Sequence, residues 1–232
     1  MSLNIFRSAM NAKLYSTFNT LFLIVALSLF SCSKRESASI SWVISQGVMN
    51  NYDFRSIGLQ VGDNFPDLEL WCISGNTVAL SEITAGEKGA VLITGSYTCD
   101  KTRMNLQSID SLSKIYQDSI NFFIVNTVEA HPNNIQSPYS PEPEPWLAQD
   151  NLEVGIEAHQ PNTMKERMDL AERWKAEQRI KTPILLDGPE NEFWSQAGQA
   201  PNMTIVISTE GKILHKEAWF DAGILGDFLA AP

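Results

Sequence analysis

The chain has 232 residues, 44% of them hydrophobic and 19% charged, with a formal net charge of −10. That is enough apolar material for one sizeable core and excludes a disordered polyelectrolyte. Twenty-seven acidic against 17 basic residues leave no basic face for phosphate, so nucleic acid is not an expected partner, and three cysteines exclude a disulfide-rich scaffold.

Residues 1–31 carry Arg7 and Lys13, no acidic residue, and the apolar run Leu21 to Phe30, followed by Ser31 and Cys32. Charge followed by a short apolar run is the order of a secretory signal, and a run of ten residues falls short of the roughly 20 that span a bilayer. A small residue before a cysteine is similar to the processing box of bacterial lipoproteins. The expectation is a signal segment over 1–31, a lipid on Cys32, and a tether over 32–58. The domain over 59–232 would then stand on the periplasmic or outer side of a membrane, in the cell envelope. An ordinary signal peptide and an uncleaved anchor are the other readings of the same residues. Removal of 1–31 takes the net charge from −10 to −12.

Two short apolar runs about Gly75-Asn76 predict a β-hairpin. Ala90 to Gly95, apolar and bounded by glycines, predicts a buried central strand, and Cys99 follows it directly. Leu106, Ile109, Leu112 and Tyr116 then fall at helical spacing, and Ile120 to Val128 reads as a second buried strand, parallel to the first across a helical crossover. The Pro-rich stretch after His131 is a surface loop of the kind that frames sites. Thr163 to Glu166 has the pattern of a capping box for a helix reaching Arg179. Pro183 to Asp187 predicts a strand, Asn191 to Ala197 a short helix, and Met203 to Trp219 a hairpin before a last helix. This order is α/β: a mixed sheet with helices on both faces, an N-terminal hairpin and one Pro-rich insertion.

A cysteine just after the first central strand, and Pro201 just before the closing hairpin, make the order resemble the thioredoxin fold. That resemblance implies a cis Ala200-Pro201 bond beside the cysteine. Within the fold, three segments are similar to the iodothyronine deiodinases: Gly95-Ser96-x-Thr98-Cys99, with cysteine in place of selenocysteine; Glu129-Ala130-His131; and His159-Gln160 ahead of a long helix. The likeness runs from about Leu59 to Leu229. It implies an oxidoreductase in which Cys99 takes the halogen, His131 delivers a proton and Glu129 orients it. Ser96, Thr98, His159 and Pro201 would meet the substrate, His159 through a phenol oxygen.

The residues themselves support part of this. A cysteine at a helix start is favoured as thiolate by the backbone N–H groups there, so Cys99 is expected to be acidic, and Cys72 to be mere packing. With no partner cysteine at spacing three, an external thiol must restore the sulfur; no cofactor and no metal are expected. His215 reads as a surface residue. Two other classes fit the same residues: a peroxiredoxin-like peroxidase using Ser96 with Cys99, and a copper-binding module using Cys99, His131 and His159. The substrate is accordingly an aromatic halide or a peroxide, and a homodimer is left open.

Overall fold

The computed structural model describes Ile44, Ser45, Gly47 and residues 53–86 and 88–231. The signal segment 1–31, Cys32 and most of the segment read as a tether lie outside the described residues. In chain order the elements are β1 (Glu69–Cys72), β2 (Thr77–Ala79), α1 (Leu80–Ile83), β3 (Ala90–Gly95), α2 (Asp100–Ile115) and β4 (Asn121–Asn126). There follow α3 (Gln149–Leu152), α4 (Met164–Glu177), β5 (Ile184–Leu186), α5 (Glu192–Ala197), β6 (Thr204–Ile207), β7 (Ile213–Glu217) and α6 (Ala222–Ala230).

The strands form one sheet in the order β2-β1-β5-β4-β3-β6-β7. β4 runs parallel to both β3 and β5, while β6 is antiparallel to β3. The alternation of a strand's side chains explains the two-sided core. Val91 and Ile93 of β3 pack on one face with Leu106, Ile109, Met168 and Trp174 from α2 and α4. Ala90 and Leu92, one residue out of phase, pack on the other with Phe123, Phe193 and Ile205. Cys72, on β1, is buried in this second layer, but it is disulfide-bonded and so not the mere packing residue expected. At the end of β3 a side chain on Gly95 would meet Thr102 Cγ2 at 2.7 Å and Trp174 Cη2 at 2.9 Å, so only glycine lets the strand pass this close to the helices.

Helix starts follow the residues at their caps. The Thr163 hydroxyl accepts from Glu166 N at 3.2 Å, as the capping pattern requires, but the Glu166 carboxylate accepts from Asn162 N at 2.7 Å, one residue before the cap. Asp221 caps α6 through Gly223 N and Ile224 N.

Several expectations are corrected. β4 ends at Asn126, so Glu129 and His131 lie in the loop beyond it rather than on a strand face. The Ala200-Pro201 bond is trans, since no described peptide bond is cis. Gln199, at φ 64°, turns the chain instead, and the Thr94 hydroxyl holds the turn by donating to Ala200 O at 2.8 Å and accepting from Met203 N at 2.7 Å. His215 is largely buried, stacked on Phe228 with centroids 4.6 Å apart, because β7 tucks its outer face under α6. Packing also reaches back before residue 59. Ile44 N donates to Asn162 O at 2.8 Å, Ser45 N to Pro189 O at 2.7 Å, and Lys216 Nζ to the carbonyls of Ile57 and Leu59, both at 2.7 Å. Among the described residues no helix is long and apolar enough to cross a membrane.

Candidate active site

Cys99 is the N-cap of α2, and its sulfur accepts from Thr102 N at 3.4 Å. It is the free thiol among the described residues and only 1% exposed. The helix start favours the thiolate, but burial wins. It pushes the Cys99 thiol up to about 11, the Asp100 charge adding to the rise and the hydrogen bonds from Thr102 opposing it. The expected acidic cysteine is therefore a protonated thiol at neutral pH. The sequence shows the helix start; it does not show how deeply the loop beyond β4 covers it.

That cover borders a half-open cavity of about 510 Å³ with Cys99 and Pro201 in its lining. Its walls are aromatic: Phe54, Tyr139, Trp146 and Trp219. Phe54 meets Trp219 edge to face at 5.6 Å and Tyr139 at 6.1 Å, and the Trp194 indole donates to the Tyr139 hydroxyl at 2.9 Å. Asp100, Lys101, Gln149 and Asp150 supply its polar groups. Volume and lining suit a small aromatic ligand.

His131 lines the cavity and is held from two sides. Nδ1 lies 3.0 Å from Trp146 O, which can only accept, so Nδ1 carries hydrogen; Nε2 lies 3.5 Å from Asp100 Oδ1. Burial holds the imidazole below its usual value, against the pull of the Trp146 carbonyl and the Asp100 carboxylate. The ring is therefore neutral at rest, and a proton arriving at Nε2 gains an ion pair with Asp100.

Glu129 does something other than orient that ring. Its carboxylate, 1% exposed, accepts from Tyr97 N at 3.3 Å, Thr98 N at 2.8 Å and the Thr98 hydroxyl at 2.6 Å. Thr98 Oγ1 in turn accepts from His131 N at 3.0 Å. Burial pushes the Glu129 carboxyl up, and the Thr98 hydroxyl and N–H, the Tyr97 N–H and the charge of buried Arg167 draw it back part of the way. Glu129 thus fixes the loop that presents Cys99 and, through Thr98, the backbone of His131. Ser96 and Thr98, expected to meet substrate, are both buried and face the protein. The Ser96 hydroxyl accepts from Ala130 N at 3.1 Å, and neither residue lines the cavity.

His159 is exposed and is not part of the cavity. Its neighbour Gln160 turns inward instead, with Oε1 accepting from Glu129 N at 2.8 Å. The cysteine and two histidines that a copper site would use are not assembled, and no group of three metal-ligating side chains occurs among the described residues.

Sequence reasoning missed Asp100, although it is the residue next to Cys99; a carboxylate at the first helical position, beside a cysteine cap, was the available signal. It also missed the aromatic walls, contributed by Phe54 from the presumed tether, Tyr139 and Trp146 from the insertion, and Trp219 from the last hairpin. They are separated in sequence and meet only in the fold. A last group stands behind the loop. The Tyr97 hydroxyl donates to Glu177 at 2.7 Å and accepts from Arg173 at 2.8 Å, whose guanidinium lies 4.7 Å over the Tyr97 ring.

A helix-capping cysteine after the first central strand, a proline turn beside it, and a mixed sheet with helices on both faces define the thioredoxin fold. The chain is similar in structure to a candidate thiol:disulfide interchange protein DsbE from Chlorobium tepidum, at 18% identity and a TM-score of 0.51, over 74% of this chain and 96% of that one. It is likewise similar to a thiol:disulfide interchange protein from Bacteroides sp., at 13% identity and a TM-score of 0.50, over 75% of this chain and 92% of that one. At these identities the likeness is one of fold. No protein-family model matches the chain, and no curated protein matches it.

Proposed function

We propose that the protein is a thiol oxidoreductase of the cell envelope with one reactive cysteine, and that the reaction its site supports best is reductive dehalogenation of a small aromatic substrate such as an iodinated phenol or iodothyronine. One observation carries this reading: Cys99 lies in the lining of an aromatic-walled cleft that His131 also lines. An aromatic ring stacks on such walls. The peroxidase reading loses its second residue, because Ser96 is turned away to Ala130.

The Cys99 thiol gives its proton to neutral His131 at Nε2, where Asp100 stabilises the imidazolium. The sulfur then takes the halogen from carbon, and the carbon takes the proton from His131. In balance, thiol and aryl iodide give sulfenyl iodide and arene; sulfur is oxidised by two electrons and carbon reduced by two. An external thiol displaces iodide to form a mixed disulfide, and a second thiol frees Cys99. No cofactor enters. Thr98 and Glu129 hold the loop, and the lipid on Cys32 would hold the protein at the membrane.

The test is iodide release from 4-iodophenol under dithiol with the wild type, Cys99→Ser and His131→Ala. Loss in the first variant and a fall of about 10²-fold or more in the second are expected. Wild type that releases no iodide yet consumes peroxide would overturn the dehalogenase reading.

A further inference from the structure

The regenerating thiol must reach a sulfur that is 1% exposed. A cysteine that exchanges with protein disulfides has to be presented at a surface, because the partner's sulfur rides on a folded backbone. Here the loop beyond β4 closes over Cys99, and its closure is fastened at several points. Asn151 Nδ2 donates to Thr98 O at 2.6 Å, next to the cysteine. Arg103, on α2, donates through Nη2 to Asp150 O at 2.8 Å and to Asn151 Oδ1 at 3.0 Å. The Ser137 hydroxyl donates to Ala130 O at 2.6 Å, and Trp146 is held by its carbonyl bond with His131 at 3.0 Å and a ring contact at 4.5 Å. Beside this roof the half-open cavity of about 510 Å³ admits a thiol of a few to some twenty heavy atoms down to the sulfur, while the burial of Cys99 at its floor keeps the sulfur out of reach of a folded protein's surface.

We infer that the electron donor to oxidised Cys99 is a low-molecular-weight thiol that enters the cavity, and that protein dithiols are excluded by the roof. This rests on Cys99 being the reactive thiol, and holds whichever oxidant acts on it. The donor's sulfur attacks Cys99 in a mixed disulfide or sulfenyl halide and expels the leaving group. A second donor molecule then attacks the new disulfide, leaving Cys99 as thiol and the donor as its own disulfide. Both donors use the same entrance, so the steric limit applies twice. A protein donor would have to wait for local opening of the roof.

The experiment loads Cys99 of the full-length protein with 4,4′-dithiodipyridine, a neutral aromatic disulfide, and follows release of the second thiopyridone on adding a reductant. Cys99→Ser serves as the blank for the other cysteines. The reductants are 2-mercaptoethanol, dithiothreitol, glutathione and a reduced two-cysteine thioredoxin. The three small thiols should react at rates that follow their thiolate fractions, and the protein dithiol on the order of a hundredfold more slowly per thiolate. Asn151→Ala, which cuts the fastening nearest Cys99, should speed the protein dithiol by about tenfold or more while leaving 2-mercaptoethanol within about twofold. Equal rates for glutathione and thioredoxin in the wild type would overturn the inference. So would failure of dithiodipyridine to load Cys99 at all, which would mean that the cavity admits no small thiol either. Iodide is not measured, so dehalogenation can fail while this stands, and the reverse.

Discussion

Replacing Glu129 by Gln separates a residue that holds the loop from one that relays protons. The carboxylate receives three donors, two on one oxygen and the Tyr97 N–H on the other. If the glutamine oxygen takes the Thr98 pair, its NH₂ faces the Tyr97 N–H, and the buried donors there are left without an acceptor. That costs about 1–3 kcal/mol, reduced by the cost of burying a charge that the variant no longer carries. A net loss of about 2 kcal/mol lowers the melting temperature of a domain this size by about 4–8 °C. Glu129→Ala orphans all three donors and should cost about 3–5 kcal/mol. The assay is a thermal melt by circular dichroism beside an NMR titration of the His131 ring. The melt should fall in the order wild type, Gln, Ala, while the His131 titration stays in place in the Gln variant, because no Glu129 atom bonds its ring. A Gln variant that melts with the wild type yet shifts the His131 titration, or loses turnover, would refute this.

The protonated Cys99 sets a further expectation: its alkylation rate should rise steadily with pH from 7 to 10 without a plateau, since burial pushes the thiol up to about 11. The raised value also has a stability consequence. The folded state keeps the proton that the unfolded chain loses from about pH 9, so the contribution of Cys99 is full below that and declines by about 2–3 kcal/mol as pH rises to about 11. Comparing denaturation midpoints of wild type and Cys99→Ala at pH 8 and 11 checks it. Asp100→Asn removes the charge that favours the His131 imidazolium, so His131 should titrate at lower pH and iodide release should fall by about tenfold, measured by NMR and by the iodide assay. His159→Ala, at an exposed position outside the cavity, should leave both the Michaelis constant and turnover within about twofold.

Continuous runs of β-branched and large apolar residues marked the central strands, because a strand buried on both faces has almost no other way to be written. The reactive cysteine was equally visible at the junction of such a run with a helical stripe. Electrostatic state was not, because it depends on how much of the chain lies above the sulfur. Glu129 and His131 were found as a pair through the family resemblance, yet their partners were exchanged. Each polar group bonds what is nearest in space, and where β4 ends decides that: Glu129 reaches back to Thr98, and His131 reaches α2. His159 illustrates the same limit, since nothing in a histidine-glutamine dipeptide says which of the two turns inward. The trans Ala200-Pro201 turn was hidden in the hydroxyl of Thr94, more than a hundred residues upstream.

Four bonds that fasten the loop carrying Cys99 and the insertion that roofs it each join one main-chain group to a non-aromatic side chain, of Asn151, Ser96, Ser137 or Thr98. The main-chain partners are Thr98 O, Ala130 N, Ala130 O and His131 N. Main-chain groups are present whatever side chain a position bears. The aromatic residues of the roof can therefore be exchanged without unfastening it, while the chemistry stays on a separate and earlier stretch of chain. Drift in ligand preference within such a protein would leave the reactive loop untouched, and a library confined to Tyr139, Trp146 and Gln149 would vary what binds while keeping what reacts.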